Sequence, residues 1–289
     1  IVLALLRVLA ALAVPSRLQA AGPRNIIVFF ELRDDVAGVK NAVETIFAKL
    51  LEPGDQLIIQ SPARVYGFSA QTLARPKSEL VAAINDKLRA DITRAAQGYK
   101  QVLGELDKSA RNIASFAYPD LESDGGLPET RDMSELFNFY RQSLANLTQL
   151  RKVNDAALRQ LAAACRGQKG ANHMIVLFER EFRPVPRREA LNALADMPKF
   201  AFQANELFTI GNVKEPFDAN ALADFLKSVP LTLHFVYVTG KTTSATGNLL
   251  ENSGDVYSAF SKAAQATGGV CTATAEPSDG LKTILKSWK

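Results

Sequence analysis

Two short clusters of charged residues are the part of this sequence whose residue types and spacing could do chemistry. Each cluster lies at the end of an apolar run of strand length, the first run at residues 25–32 and the second at residues 173–178. The clusters contain Glu31, Arg33, Asp34 and Asp35, then Glu179, Arg180 and Glu181. Open α/β sheets bind ligands at the carboxyl ends of their strands. We therefore predict a mixed-charge crevice at this edge of a sheet.

Strand and helix patterns alternate around these clusters. The predicted strands lie at residues 25–32, 57–59, 65–68, 173–178, 231–238 and 270–275, and the predicted helices at 36–50, 187–195, 219–229, 255–267 and from 278 onward. Residues 200–210 fit neither pattern clearly. The order of these elements predicts an α/β fold with a doubly wound, mostly parallel sheet of the Rossmann-like kind.

A long helical segment interrupts this alternation. Between residues 77 and 166 apolar residues recur every three or four positions, with one polar break that contains Pro119 and Gly125. Two helices that each carry an apolar stripe are expected to pack as an antiparallel, coiled-coil-like hairpin. The residues predicted to share one seam are Leu88, Ile92, Tyr99, Leu106, Leu136, Tyr140, Leu144, Leu147 and Leu158. Residues 22–76 and 167–289 then form the α/β domain, and residues 77–166 are an insertion.

The α/β part resembles a von Willebrand factor type A domain. The first strand ends in a charged turn, and the following helix ends with Leu-Leu-Glu-Pro-Gly-Asp-Gln at residues 50–56. A late helix ends with Ala-Ala-Gln-Ala-Thr-Gly-Gly at residues 263–269, just before the last strand. The resemblance covers residues 25–68 and 172–287 and implies a protein-interaction module with that family's fold.

The resemblance also implies a position for a divalent cation. Domains of this family typically bind one through a D-x-S-x-S turn, a threonine from a later loop and an aspartate after the fourth strand. Here Glu31, Arg33 and Asp35 occupy the D-x-S-x-S positions, and Arg180 lies about where the later aspartate belongs. Hard cations bind carboxylate and hydroxyl oxygens, and a guanidinium beside such an ion is unfavourable. We therefore expect neither a metal ion nor another cofactor.

Three interpretations of the crevice remain open on the sequence. The charges can pair with one another and so replace the ion, as charged groups near a surface usually pair or stay solvated. They can instead form a recognition surface for an acidic or basic partner. A surviving cation site would use Glu31, Asp34 and Asp35, because three carboxylates could still coordinate calcium.

Composition limits the class of protein. The chain has 289 residues, of which 47% are hydrophobic and 22% charged, values typical of a globular protein. A net charge of +4, spread along the chain, is not a nucleic-acid footprint. Residues 1–21 are apolar at first and end in small residues, which predicts a signal peptide and no integral membrane span after its cleavage. The expected location is extracytoplasmic, either periplasmic or secreted.

Cysteine and histidine are scarce. Cys165 and Cys271 could form a bridge in an oxidising compartment or remain two separate thiols. His173 and His234, the only histidines, each lie at or inside an apolar strand, where packing is the expected role. Two histidines with so few partners do not make a catalytic set.

The sequence favours an exported, non-enzymatic interaction or scaffold module that binds a protein partner. Binding is expected at the hairpin tip, residues 118–130, and in the charged crevice. The alternative is an α/β small-ligand receptor or enzyme in which Arg33 and Arg180 grip an anion.

Overall fold

The computed structural model describes residues 23–33, 36–117, 133–150, 155–210, 219–240 and 248–288. Three of the sequence predictions fall outside these ranges. They concern the signal peptide at residues 1–21, the crevice residues Asp34 and Asp35, and the hairpin tip at residues 118–130.

A six-stranded sheet forms the centre of the described chain, in the order β3-β2-β1-β4-β6-β8. The eight strands are β1 (Arg24–Glu31), β2 (Gln56–Gln60), β3 (Val65–Phe68), β4 (Ala171–Glu179), β5 (Phe182–Pro184), β6 (Thr232–Val238), β7 (Leu249–Glu251) and β8 (Cys271–Thr274). All neighbours in the sheet are parallel except β3, which pairs antiparallel with β2. Strands β5 and β7 form a separate antiparallel ribbon.

Ten α-helices accompany these strands in the described ranges. They are α1 (Val36–Thr45), α2 (Ala70–Leu73), α3 (Lys77–Ala117), α4 (Met133–Leu150), α5 (Asp155–Ala164), α6 (Arg188–Ala195), α7 (Ala201–Ile210), α8 (Ala219–Lys227), α9 (Gly254–Ala266) and α10 (Pro277–Ser287). A π-helical turn, Ile46–Leu50, extends α1. The ambiguous stretch at residues 200–210 is thus helical. The predicted α/β fold with a mostly parallel, doubly wound sheet is confirmed.

Helices cover both faces of the sheet, which explains why the central strands read as continuous apolar runs. On one face Val28 and Phe30 of β1 pack with α1, the first half of α3 and α10. On the other face Phe29 of β1 and Phe178 of β4 pack with α5, α8 and α9. Both side-chain sets alternate along the same strands, so the sheet separates two apolar cores.

A third core lies among helices away from the sheet. The second half of α3 contributes Leu106 and Ile113, and α4 contributes Leu136 and Leu147, all buried. Helices α6 and α7 close this core from a further side, with Leu191, Leu194, Ala204 and Leu207. The two long helices therefore do not bury their stripes against each other alone.

The single predicted seam is wrong in part. Leu88 and Ile92 pack in the core between α1, α3 and the sheet, and Leu158 packs on the opposite face of the sheet. The stripe of α3 is continuous, but its first half faces the sheet and only its second half faces α4. An apolar stripe requires burial and does not specify the partner that buries it.

The two sequence motifs that suggested the type A resemblance have structural roles. In the first, Gly54 has φ of 95°, and Asp55 next to it is buried and accepts hydrogen bonds from the backbone N–H groups of Arg24 and Glu52. In the second, Gly268 has φ of 74° and ends α9, while a Cβ on Gly269 would lie 1.7 Å from the carbonyl oxygen of Leu233. Only glycine permits this close approach of backbone to backbone.

Candidate functional site: the carboxyl edge of β1 and β4

The strand order reverses direction between β1 and β4, which makes the carboxyl ends of these two strands the topological switch point of the sheet. In the parallel register Glu31 lies opposite Phe178, so Arg33 and the segment 179–181 leave the sheet side by side. The structure therefore brings the described residues of both predicted charged clusters to one edge.

Both the backbone and the side chain of Arg33 make polar contacts at this edge. Its backbone N–H donates to Glu179 Oε2 at 2.6 Å, and its Nε lies 3.0 Å from Glu181 Oε1 in an ion pair. The side chains of Arg33 and Glu181 are 15% and 3% exposed, so the pair is largely removed from water. A carboxylate this deeply buried requires a compensating charge, which Arg33 supplies.

The helices that enclose the third core, α3, α4, α6 and α7, are called here the helical layer, and two of them supply further contacts to the same guanidinium. Its Nη1 donates to the carbonyl oxygen of Leu150 at 2.6 Å, at the last residue of α4, where a helix carbonyl has no partner within the helix. Its carbon lies 4.8 Å from the centre of the Tyr99 ring on α3, a cation–π distance. Arg33 thus connects the end of β1 to both α3 and α4.

Arg180 belongs to a second ion pair and not to the first. Its Nη2 donates to Glu251 Oε2 at 2.6 Å, and its guanidinium carbon lies 4.5 Å from the centre of the Phe182 ring. The other Glu251 oxygen accepts from the hydroxyl of Tyr237 at 2.7 Å. Burial opposes ionisation of Glu251, but hydrogen bonds from Tyr237 and Arg180 outweigh it and lower the pKa of that carboxyl.

Ser253 links the two ion pairs. Its buried hydroxyl lies 2.8 Å from the Tyr237 hydroxyl and accepts the backbone N–H of Glu181 at 3.0 Å. Burial raises the pKa of the Tyr237 hydroxyl well above its ordinary value, so the phenol stays protonated and able to donate. The Arg33–Glu181 ion pair, the backbone of Glu181 and the hydrogen bonds of Ser253, Tyr237 and Glu251 therefore connect the crevice charges to one another in a network.

Sequence reasoning missed most of the partners in this network. They are Tyr99, Leu150, Tyr237, Glu251 and Ser253. Outside the network, the buried hydroxyl of Tyr140 on α4 donates to the carbonyl oxygen of Pro184 at 3.0 Å, and burial raises the pKa of this hydroxyl to about 12. The available signal was polar residues inside otherwise apolar stripes, such as Tyr99 and Tyr140, since a buried tyrosine hydroxyl usually requires a partner.

The alternative of a surviving cation site depends partly on residues outside the part of the chain that the structure describes. Of its three carboxylates, Glu31 lies at the end of β1, while Asp34 and Asp35 are not among the described residues. Within the described ranges, no three His, Cys, Asp or Glu side chains come together as a metal-binding group. No described helix is both long enough and apolar enough to cross a membrane.

The two cysteines are separate thiols in the structure. Cys165 is buried beneath the sheet, where its Sγ donates to the carbonyl oxygen of Leu161 at 3.5 Å and burial raises the pKa of its thiol. Cys271 begins β8 and is half-buried. Neither thiol lies in the network described above.

No protein-family model matches this chain, and no curated protein matches it in sequence. Among solved structures, it is similar to an aerotolerance-related membrane protein from Bacteroides fragilis NCTC 9343, crystallised with multiple mutations to serine. The two are 10% identical, the similarity covers 92% of this chain and 98% of that one, and the TM-score is 0.39. Similarity of this strength transfers neither a family nor a function.

Proposed function

We propose that this chain is an exported, non-enzymatic protein-interaction or scaffold module of the von Willebrand factor type A kind, in which Arg33 replaces the metal ion. The observation that carries the proposal is the position of the Arg33 guanidinium. It lies at the switch point of the sheet, where the type A resemblance locates a cation, and it pairs there with Glu181. A cation built into the chain leaves such a module independent of divalent ions.

The ion pairs also argue against the small-anion alternative. Arg33 and Arg180, the two residues that would grip the anion, already face Glu181 at 3.0 Å and Glu251 at 2.6 Å. An incoming anion would have to displace Glu181 from Arg33, and separating a buried carboxylate from a guanidinium 3.0 Å away is costly. We therefore favour an interaction module over a receptor or enzyme that uses this crevice.

Exposed apolar side chains on the helical layer support a protein partner. Phe116, Phe139, Met197 and Phe202 are all exposed, and Phe202 on α7 is 78% exposed. Single exposed apolar residues are common on proteins, but aromatic and methionine side chains are enriched where proteins bind one another. We propose that the partner contacts this helical layer and not the crevice, whose charged side chains already pair with one another.

Divalent cations and small anions are expected to leave the thermal stability of the protein unchanged. A ligand that binds only the native state raises stability by about 2.7 kcal/mol at a hundredfold excess over its dissociation constant. Differential scanning fluorimetry in chelator, then in magnesium, calcium, or inorganic phosphate at millimolar concentration, measures this directly. A reproducible rise in Tm with a cation would contradict the replacement of the ion by Arg33, and a rise with phosphate would favour the receptor.

Phe202→Ser is expected to weaken partner binding by about 30-fold, the loss that corresponds to a residue worth 2 kcal/mol in an interface. The partner is first captured from an envelope fraction with the full chain and then titrated against purified variants. Val65→Ser is the matched control, because Val65 is 55% exposed but lies on the edge strand β3 and not on α7. If both variants bind the partner as tightly as the unmodified chain does, then Phe202 on α7 is not part of the interface.

A further inference from the structure

Both histidines and the single tryptophan of this chain meet at one place, the amino edge of the sheet. His173 lies near the start of β4, His234 is buried in β6, and Trp288 directly follows α10. The His173 ring centre lies 5.5 Å from that of His234 and 4.5 Å from that of Trp288. This cluster lies at the opposite edge of the sheet from the charged crevice.

The hydrogen bonds around His234 depend on a neutral ring. Its Nδ1 lies 3.2 Å from the backbone N–H of Val270, while its Nε2 lies 3.3 Å from both Trp288 Nε1 and His173 Nδ1. A neutral imidazole has one acceptor nitrogen and a protonated one has none. A neutral His234 therefore accepts from either the Val270 N–H or the Trp288 indole N–H, as its tautomer dictates. A protonated His234 accepts from neither, so protonation removes the acceptor and turns an N–H toward each of the two donors.

Protonation of His173 has a similar consequence. Its Nδ1 faces His234 Nε2, so the pair can share a single proton between these nitrogens in the neutral state. A further proton on Nδ1 of His173 either makes two donors face each other or forces His234 to carry its own proton on Nδ1, against the N–H of Val270. Each added proton thus opposes a contact that now holds the cluster together.

Among the described residues, the charged groups found at the cluster are one cation and its two carboxylate partners. Arg24 of β1 places its guanidinium carbon 4.8 Å from the centre of the Trp288 ring, and it disfavours a second positive charge nearby. Asp55, before β2, binds that guanidinium at 2.6 Å, and Glu52 lies 3.6 Å from it. The backbone N–H of Val270, just before β8, and the indole N–H of Trp288, just after α10, also face His234.

Trp288 anchors the end of a helix that belongs to the core. Leu281 and Ile284 of α10 are fully buried against the sheet, and Leu285 and Trp288 pack at the margin of the same core. Loss of the Trp288 contacts would free the last turn of α10 while Leu281 still holds its first turns. Release of the last turn of a helix whose other turns stay packed is the kind of local opening that costs less than global unfolding.

We propose that His173, His234 and Trp288 form an acid-sensitive latch, in which protonation of the histidines releases Trp288 and the last turn of α10 from the amino edge of the sheet. The latch goes beyond the interaction function proposed above and does not depend on it.

The protonation equilibria agree with this direction. Burial, together with the neighbouring His173, lowers the pKa of His234 to about 3, and burial with the nearby Arg24 lowers the pKa of His173. The unlatched state therefore binds more protons than the latched state below about pH 6.5, the ordinary value for histidine. The latched state is favoured above that pH and is progressively lost as the pH falls.

Because Trp288 is the only tryptophan, its fluorescence reports on the latch without interference from other positions. We expect the emission maximum of the full chain to move to longer wavelength between about pH 7.5 and pH 4.5. Acrylamide quenching should rise over the same range while the far-UV circular dichroism is retained. Hydrogen exchange should become faster at the end of α10 and remain slow in α9.

The matched variant is His173→Gln with His234→Gln, which keeps polar side chains at both positions and removes every histidine that titrates. The acid-induced shift should be absent from this variant. If the double variant does not fold, His173→Gln is used alone. Its acid-induced shift in the emission maximum should then be smaller than that of the original chain or occur at lower pH. An unchanged shift in a folded variant overturns the latch. The latch is also overturned if NMR shows that both histidines of the original chain become protonated while the fluorescence spectrum of Trp288 stays unchanged.

Discussion

Arg33→Ala is expected to lower the free energy of unfolding by about 3–5 kcal/mol, the usual loss when one member of a buried ion pair is removed. The substitution removes the guanidinium that lies 3.0 Å from the buried carboxylate of Glu181. It also removes the donor to the last carbonyl of α4 and the cation above the Tyr99 ring. Urea unfolding followed by circular dichroism measures the difference.

Two controls separate the charge from the general effect of shortening an arginine. Arg75→Ala removes an exposed arginine that pairs only with exposed Glu79, and it should change stability by less than about 0.5 kcal/mol. Arg33→Met combined with Glu181→Gln removes both charges and should cost less than Arg33→Ala alone, because no uncompensated charge remains. Equal losses from Arg33→Ala and Arg75→Ala would show that the Arg33 pair does not stabilise the fold.

Arg33→Ser also tests whether this arginine takes the place of an ion. The variant restores a hydroxyl at the corresponding position of the D-x-S-x-S turn and leaves Glu179 and Glu181 in place. Millimolar calcium or magnesium should therefore raise the Tm of Arg33→Ser and leave that of the original chain unchanged. A variant that responds to neither cation would mean that the remaining carboxylates cannot assemble a site.

Asp55→Ala is the second substitution with a large expected cost, again about 3–5 kcal/mol. Asp55 is 2% exposed and pairs with the Arg24 guanidinium at 2.6 Å. It also accepts the backbone N–H groups of Arg24 and Glu52, which fixes the turn before β2 against the start of β1. Its removal takes the acceptor from two backbone N–H groups and leaves the buried guanidinium with only the Leu50 carbonyl oxygen at 2.9 Å and the more distant Glu52 as acceptors.

Glu52→Ala is the matched control for this prediction. Glu52 also faces Arg24, at 3.6 Å, but its side chain is 63% exposed, so its loss should change stability by less than about 0.5 kcal/mol. Chemical unfolding of both variants measures the contrast. If Asp55→Ala costs no more than Glu52→Ala, then the backbone of the Pro-Gly-Asp turn, and not the buried ion pair, stabilises this corner.

The strands and helices were predictable from the sequence because their apolar patterns are local. Residues 26–30, just before Glu31, are all apolar, so both faces of this segment are apolar, and this property indicates a central strand covered on both sides. The ribbon of β5 and β7 was missed, since three-residue strands that include Pro184 are too short to show a period. The same shortness hid Glu251, which turned out to be the partner of Arg180.

The sequence predicted where in the fold the candidate site lies, but it did not predict which side chains pair with one another there. Parallel strands must end at a common edge, so the clusters that contain Arg33 and Arg180 were expected near each other. The identity of each ion-pair partner depends on loops and helices distant in sequence. Glu251 lies 71 residues beyond Arg180, and Leu150 lies 117 beyond Arg33. No spacing rule connects residues at such separations.

The sequence by itself determined the elements of this protein, the doubly wound sheet that they form and the edge at which its charges gather. Only the tertiary structure decided how the long apolar stripe of α3 divides, with Leu88 against the sheet and Leu106 against α4, α6 and α7. It alone brought His173, His234 and Trp288 together. The physical reason is that periodicity specifies which face of an element must be buried, whereas its partner is selected by the packing of the whole chain.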